Sequence, residues 1–267
     1  RAALCENGAR ANVAGTLLSG ARRFTNGQGQ VCNHHLGVCA FTQHTVVAQE
    51  SLVKIDPTVP LDRAALFGCA VLTGVGAVVN TARVEAGSAV AVFGMGGVGL
   101  SAVMGARAVG AYPIIAVDVL DDKLTLARAV GASHTVNAAT DNPVEAIREI
   151  TRGGAQYVFE SVGHERVLIQ AYESTGRGGT TVTIGLPHPS KQFTVSAVSL
   201  VVEERTVKGS YMGSAVPRRD IPRYISLYQA GLLPVEKLLT HSLALEDINS
   251  AFDRLARAEA VRQIITF

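Results

Sequence analysis

Residues Gly94-Met95-Gly96-Gly97-Val98-Gly99 have the pattern G-x-G-x-x-G, and that spacing has a physical use. The first glycine permits a tight turn. The second lets a diphosphate approach the backbone, and the third lets a helix pack closely on a strand. The pattern alone is weak evidence. Here it follows the apolar run Ala89-Val90-Ala91-Val92-Phe93 and opens an amphipathic stretch, 98–109, which is the context the chemistry needs. The helix start then presents unpaired N–H groups and a positive dipole end to phosphate. Asp118 stands 19 residues after Gly99, where the second apolar run ends. A carboxylate there accepts hydrogen bonds from ribose hydroxyls and repels a 2′-phosphate, so the pattern predicts NAD in preference to NADP. Lys123, five residues on, reaches towards the same ribose and softens that preference. A flavin or S-adenosylmethionine sheet can share the glycines and the acid.

Alternating elements surround these residues. Strands are expected at 89–93, 114–117, 134–136, 157–159, 180–184 and 206–208, and helices at 98–109, 121–130, 143–151 and 165–173. Strands alternating with helices of this length imply βαβ units and a parallel sheet. The fold class is therefore α/β: a doubly wound parallel Rossmann sheet, residues 71–211. Residues 1–70 are irregular, with expected strands at 45–48 and 52–55, and look like part of an antiparallel β domain. Residues 212–267 carry helical patterns at 221–230 and 245–257. They end in a strand at 263–265, expected to return to the first zone.

Composition narrows the function classes. Of 267 residues, 48% are hydrophobic and 17% charged, which suits a packed core and not disorder. The net charge of +2 comes without a basic cluster, so nothing points to nucleic acid. Apolar runs such as 88–94 are too short to span a bilayer, and the first residues lack the apolar stretch of a secretory signal. The cysteines Cys5, Cys32, Cys39 and Cys69 are too few for a disulfide scaffold in a chain of this length and read as cytoplasmic thiols.

Several separated segments resemble the zinc-containing medium-chain alcohol dehydrogenases. These are 67–77 (FGCAVLTGVGA), the interval from Cys69 to Gly94, Arg22-Arg23-Phe24, 41–47, and the tail 260–267. They occur in the family's order and cover essentially the whole chain. The resemblance implies a partial GroES-like catalytic domain in residues 1–70, with the last zone returning to it. It implies NAD and Zn²⁺ as cofactors, a small alcohol and its aldehyde or ketone as substrates, and a dimer or tetramer. Cys69 matches one of three protein ligands to a catalytic zinc, which would acidify the alcohol. Thr73 matches a residue against the nicotinamide. Val162, Ile184 and Leu186 match the lining of the cofactor cleft, and Arg262 a contact to the pyrophosphate. His35, Leu36, Leu186 and Tyr211 fall near the family's substrate pocket. Cys5 matches the last of four cysteines holding a structural zinc.

The departures from the family are as informative. No C-x₂-C spacing occurs. The remaining lobe cysteines, the first catalytic cysteine, the Gly-His-Glu segment and the proton relay would precede Arg1, so the chain is expected to be the C-terminal part of a longer dehydrogenase. By itself it should bind NAD without oxidising alcohol. Cys32 and Cys39, with His34 and His35 between them, fit no standard metal spacing. His188 reads as a loop residue and His241 as a strand-edge position. Glu160 reads as a ligand-side, solvated or capping carboxylate, and 203–205 as a solvated turn. Residues 198–202 could serve a subunit edge. Two other readings stay open: a zinc-free quinone or enoyl reductase of the same superfamily, and a non-catalytic NAD-binding remnant. Cys69 and Asp118 argue against the first.

Overall fold

The computed structural model describes residues 2–267. Regular structure is sparse in the first sixty residues. Helix α1 (Glu6–Ala14) ends at Gly15 in the left-handed conformation, and β1 (Phe24–Thr25) pairs antiparallel with β2 (Val31–Cys32). The turn between them is built on Asn26, whose Oδ1 accepts from the N–H groups of Gln28 and Gln30. The expected strands at 45–48 and 52–55 do not form. Their β-branched residues suit a pleated surface, but a strand also needs a paired neighbour and a face to bury, and Val46 is 94% exposed.

Helix α2 is a continuous 22-residue helix, Leu61–Ala82, with π-helical turns at Phe67–Val71 and Ala77–Ala82. Its length and apolar composition would suffice to cross a membrane. Instead Phe67, Val71, Leu72, Val75 and Val78 lie in the core, where each such side chain contributes about 1.5–3 kcal/mol. Sequence periodicity missed this helix because it is apolar almost all round, as a buried helix is.

The βαβ reading is correct. Strands β3 (Val90–Phe93), β4 (Ile114–Asp118), β5 (His134–Asn137), β6 (Ala155–Glu160), β7 (Thr175–Thr183) and β8 (Thr206–Gly209) form one parallel sheet in the order β5-β4-β3-β6-β7-β8. Helices α3 (Gly97–Ala108), α4 (Asp121–Val130), α5 (Pro143–Thr151) and α6 (Glu165–Ser174) connect successive strands. Side chains alternate between the two faces. Val90, Val92, Ile114 and Ala116 pack with α2, α3 and α4. Ala91, Phe93, Ile115 and Val117 pack with Ile147 of α5 and Ala171 of α6. Burial on both faces explains the unbroken apolar runs in the sequence.

Residues 198–202, considered as a subunit edge, lie in a short helix, α7 (Ala197–Val202), that precedes the sheet's edge strand β8. The turn expected to be solvated at 203–205 exposes Glu204 but not the Arg205 side chain. The Arg205 side chain is 6% exposed, stacks on the Tyr172 ring at 4.8 Å and donates to the Tyr172 carbonyl. After α8 (Pro217–Gln229), strand β9 (Leu239–Leu243) pairs in parallel with the terminal strand β10 (Arg262–Ile265), across α9 (Ile248–Ala256).

Candidate dinucleotide site

The strand order reverses between β3 and β6, and both strands end at one crevice, the position where open α/β sheets take ligands. The glycine-rich loop joins β3 to α3 there. Gly94 has φ 89°, which a side chain would strain. A Cβ on Gly99 would overlap the Gly94 carbonyl and stand 2.8 Å from Ser161 Oγ, so the helix starts in backbone contact with the turn. Space is open around Gly96, where a Cβ would meet nothing within 4 Å. The N–H groups of Gly96, Gly97 and Val98 meet no acceptor among the described residues. An open glycine under free amides at a helix start fits a diphosphate.

Charged groups flank that opening. Asp118, half-buried at the end of β4, is already engaged with backbone: Oδ2 accepts from Met95 N–H at 2.6 Å, and Oδ1 from Val119 and Leu120 N–H at 2.8 and 3.1 Å. These bonds aim the carboxylate at the rim of the loop. Lys123, in the first turn of α4, donates to the Ala260 carbonyl at 3.3 Å. Burial pushes its ammonium below the ordinary lysine range, and the Asp118 charge partly restores it. Arg262, at the start of β10, lies over Gly97 and donates to the Val261 carbonyl. Burial lowers this guanidinium too, the charge of Cys69 opposing the shift. Arg262 therefore comes from 165 residues beyond Gly97, whereas Lys123 stands 26 residues beyond it and is tied to Ala260, 137 residues further on.

On the other side of the switch point the loop after β6 closes the crevice. Ser161 Oγ donates to the Phe93 and Gly94 carbonyls at 2.9 and 3.0 Å, and Val162 packs against Gly94. Glu160 is neither solvated nor free for a ligand. It is 1% exposed, accepts from the N–H groups of Val162 and Gly163 at 2.7 and 2.6 Å, and takes the Thr183 hydroxyl at 3.2 Å. It shapes the loop from beneath. Ile184 is buried, whereas Leu186 is exposed with its backbone against Gly163. Ser161 was not legible in sequence, because a lone serine after a strand carries no pattern.

Thr73 lies on α2, buried, with its hydroxyl directed at Met212 Sδ. The helix reaches the loop through Gly74, whose Cβ would stand 2.6 Å from Ser101 Cβ of α3. Cys69, one turn earlier, is exposed, and Tyr211 is half-exposed after β8. The remaining predicted positions are not drawn in by any hydrogen bond. Cys5 caps α1 through Gly8 N–H. His35 is exposed, and Leu36 donates its N–H to Asn12. His34 is buried, accepting from Arg23 N–H at 3.1 Å and packed on Phe24. Cys39 Sγ lies 3.7 Å from its Nδ1. His188 sits in a loop against Ser190, and His241 lies within β9.

Among the described residues, no group of three or more His, Cys, Asp or Glu is placed to hold a metal ion. Cys69 alone does not fit zinc, which takes four ligands in a closed structural site and three protein ligands in a catalytic one. A cavity of 460 Å³ lies elsewhere, lined by residues such as Thr58, Tyr228, Gln229 and Glu236, and includes none of the dinucleotide crevice.

Fold and crevice define a protein with a dinucleotide-type Rossmann sheet. The comparisons with known proteins agree. The zinc-binding dehydrogenase family model matches residues 97–230, half of the chain. Alcohol dehydrogenase 1 of Trifolium repens is 39% identical over 241 residues, covering 89% of this chain and 63% of that protein. The crystal structure of an alcohol dehydrogenase zinc-binding domain protein from Burkholderia ambifaria superposes with a TM-score of 0.94 at 33% identity, over 99% of this chain and 72% of the other. Benzyl alcohol dehydrogenase from Acinetobacter calcoaceticus gives 0.86 at 30% identity, over 98% and 74%. The chain belongs to the zinc-binding, medium-chain alcohol dehydrogenase family, and spans 63% of the length of its Trifolium relative.

Proposed function

We propose that this chain binds NAD in the crevice between β3 and β6, and that the longer protein of which it forms part interconverts an alcohol and its aldehyde or ketone by hydride transfer. The observation that carries the reading is the open Gly96 under free helix-start amides, with Arg262 on one side and Asp118 on the other. The amides of Gly96, Gly97 and Val98 and the Arg262 guanidinium hold the diphosphate. Asp118 accepts from the adenine ribose, and Lys123 lies beside it. Val162 and Ile184 line the second half of the cleft, with Thr73 on the wall across from them. NAD, when bound, supplies the hydride acceptor. The alcohol dehydrogenase relatives support the reaction class.

No step is assigned to zinc here, because Cys69 lacks co-ligands among the described residues. Turnover is therefore proposed for the longer protein, and binding without turnover for residues 1–267. The partition at 1–70, 71–211 and 212–267, and substrate contacts for His35, Leu36 and Tyr211, belong to the same proposal. So does self-association through the exposed strand β8 and the neighbouring exposed Val198, Val201 and Val202. The four free cysteines support a reducing, cytoplasmic setting.

Calorimetric titration with NADH and NADPH tests the reading. NADH should bind about tenfold or more tightly than NADPH, since a 2′-phosphate would face the Asp118 carboxylate. Tighter NADPH binding, or none of either, would overturn it. Metal content and alcohol turnover of the longer protein separate the zinc enzyme from a zinc-free reductase and from a non-catalytic module.

A further inference from the structure

Three consecutive residues after β8 have left-handed backbone: Met212 at φ 50°, Gly213 at 65° and Ser214 at 48°. Such a run is strained for the two residues that carry side chains, so the surroundings must hold it. Gly213 is wedged on α2. A Cβ on Gly213 would stand 2.8 Å from Gly76 Cα and 2.9 Å from the Thr73 carbonyl oxygen. Asn80, also on α2, donates to the Gly213 carbonyl at 3.3 Å. Thr81 Oγ1 lies 2.8 Å from Ser210 Oγ and 3.0 Å from Ser214 Oγ.

Behind Asn80 sits a buried charge. The Asp220 side chain is fully buried. It accepts from Asn80 at 3.4 Å, from Val216 N–H at 2.8 Å, and from Arg219 at 2.7 and 2.9 Å, with Arg223 at 3.4 Å. Tyr224 Oη accepts from the same Asn80 amide group at 3.2 Å. A buried carboxylate persists only when paired and hydrogen-bonded in this manner.

The position of the turn gives the cluster its meaning. Ser210 N–H bonds to the Thr183 carbonyl, so the turn leaves the carboxyl ends of β7 and β8. Asp118 assigns the first mononucleotide half, β3 to β5, to the adenosine end. The second half, β6 to β8, then faces the other nucleotide.

We propose that Asp220 is a positioning residue: through Asn80 it locks the Met212–Ser214 turn against Thr73, and the locked turn forms the wall against which the nicotinamide half of the dinucleotide lies. This rests on the NAD reading above. It assigns a role to residues that touch neither the diphosphate loop nor Asp118.

The test compares two probes on the whole chain, NADH and ADP-ribose, the latter lacking only the nicotinamide. Wild type should bind NADH more tightly. Asn80→Ala and Asp220→Asn should weaken NADH about fivefold or more, the equivalent of one lost internal hydrogen bond, while leaving ADP-ribose within about twofold. The emission of bound NADH should shift towards that of free NADH. Arg219→Ala, at a side chain half open to solvent, should act in the same direction more weakly, with Arg219→Lys restoring it. This second variant keeps the test decisive if Asp220→Asn fails to fold. Equal loss for both probes, or no loss for either, would overturn the inference while the NAD reading stood. Wild-type chain that bound neither probe would overturn both.

Discussion

The guanidinium of Arg262 lies directly over Gly97, the first residue of α3, with Nε 2.7 Å from where a Cβ on that glycine would stand. The last strand thus delivers a cation to a helix start 165 residues earlier in the chain, Arg262 against Gly97.

Gly97→Ala should push the guanidinium away while leaving the helix intact, because alanine is a good helix former. Arg262→Ala removes the charge itself. A charge-assisted hydrogen bond to phosphate contributes about 1.5–3 kcal/mol, so NADH affinity should fall about tenfold or more in Arg262→Ala and in the same direction in Gly97→Ala. Calorimetry reads both, and an unchanged affinity in Arg262→Ala would remove this residue from the site.

Glu160 supports the loop that closes the crevice. Glu160→Ala leaves the part-buried Val162 and Gly163 amides without their acceptor, at a cost of about 1.5–3 kcal/mol for the loss of bonds to a charged group. Urea denaturation should show that loss as a lower midpoint with an unchanged slope.

Tyr224 sets an alkaline limit. Burial, with the charge of Asp220 adding to it, pushes its phenol up to about 12 from an ordinary 10.0. Between those values the unfolded chain loses the proton and the folded chain keeps it. The stability contributed by the neutral phenol is therefore present below pH 10 and is lost as pH rises through about 12. Tyr224→Phe should melt lower than wild type near pH 8, having lost the bond from Asn80. It should show a shallower decline in Tm above pH 10, and a parallel decline in both proteins would contradict the assignment.

The glycine spacing, the apolar strand before it and Asp118 were legible because they are local. Each depends on residues within a few positions or on one βαβ unit, and period and turn chemistry write such units directly into the chain. The six strands of the parallel sheet and the helices α3 to α6 were legible for the same reason, whereas the short α7 was not. Strands 45–48 and 52–55 were misread because β-branched composition does not create a partner strand. Helix α2 escaped because a helix that is apolar almost all round has no polar stripe to reveal its period.

By itself, then, the amino-acid order determined the doubly wound sheet, the glycine-rich loop and the acid at its rim, since short-range sterics and hydrophobic period suffice for those. Only the tertiary structure decided which distant groups attend them. Arg262 over Gly97, Ser161 beneath the turn, Glu160 turned inward, Arg205 laid on Tyr172, and Asp220 reaching the Met212–Ser214 turn through Asn80 are all long-range pairings. They follow from how layers pack and where buried charges find partners, and no local pattern encodes them.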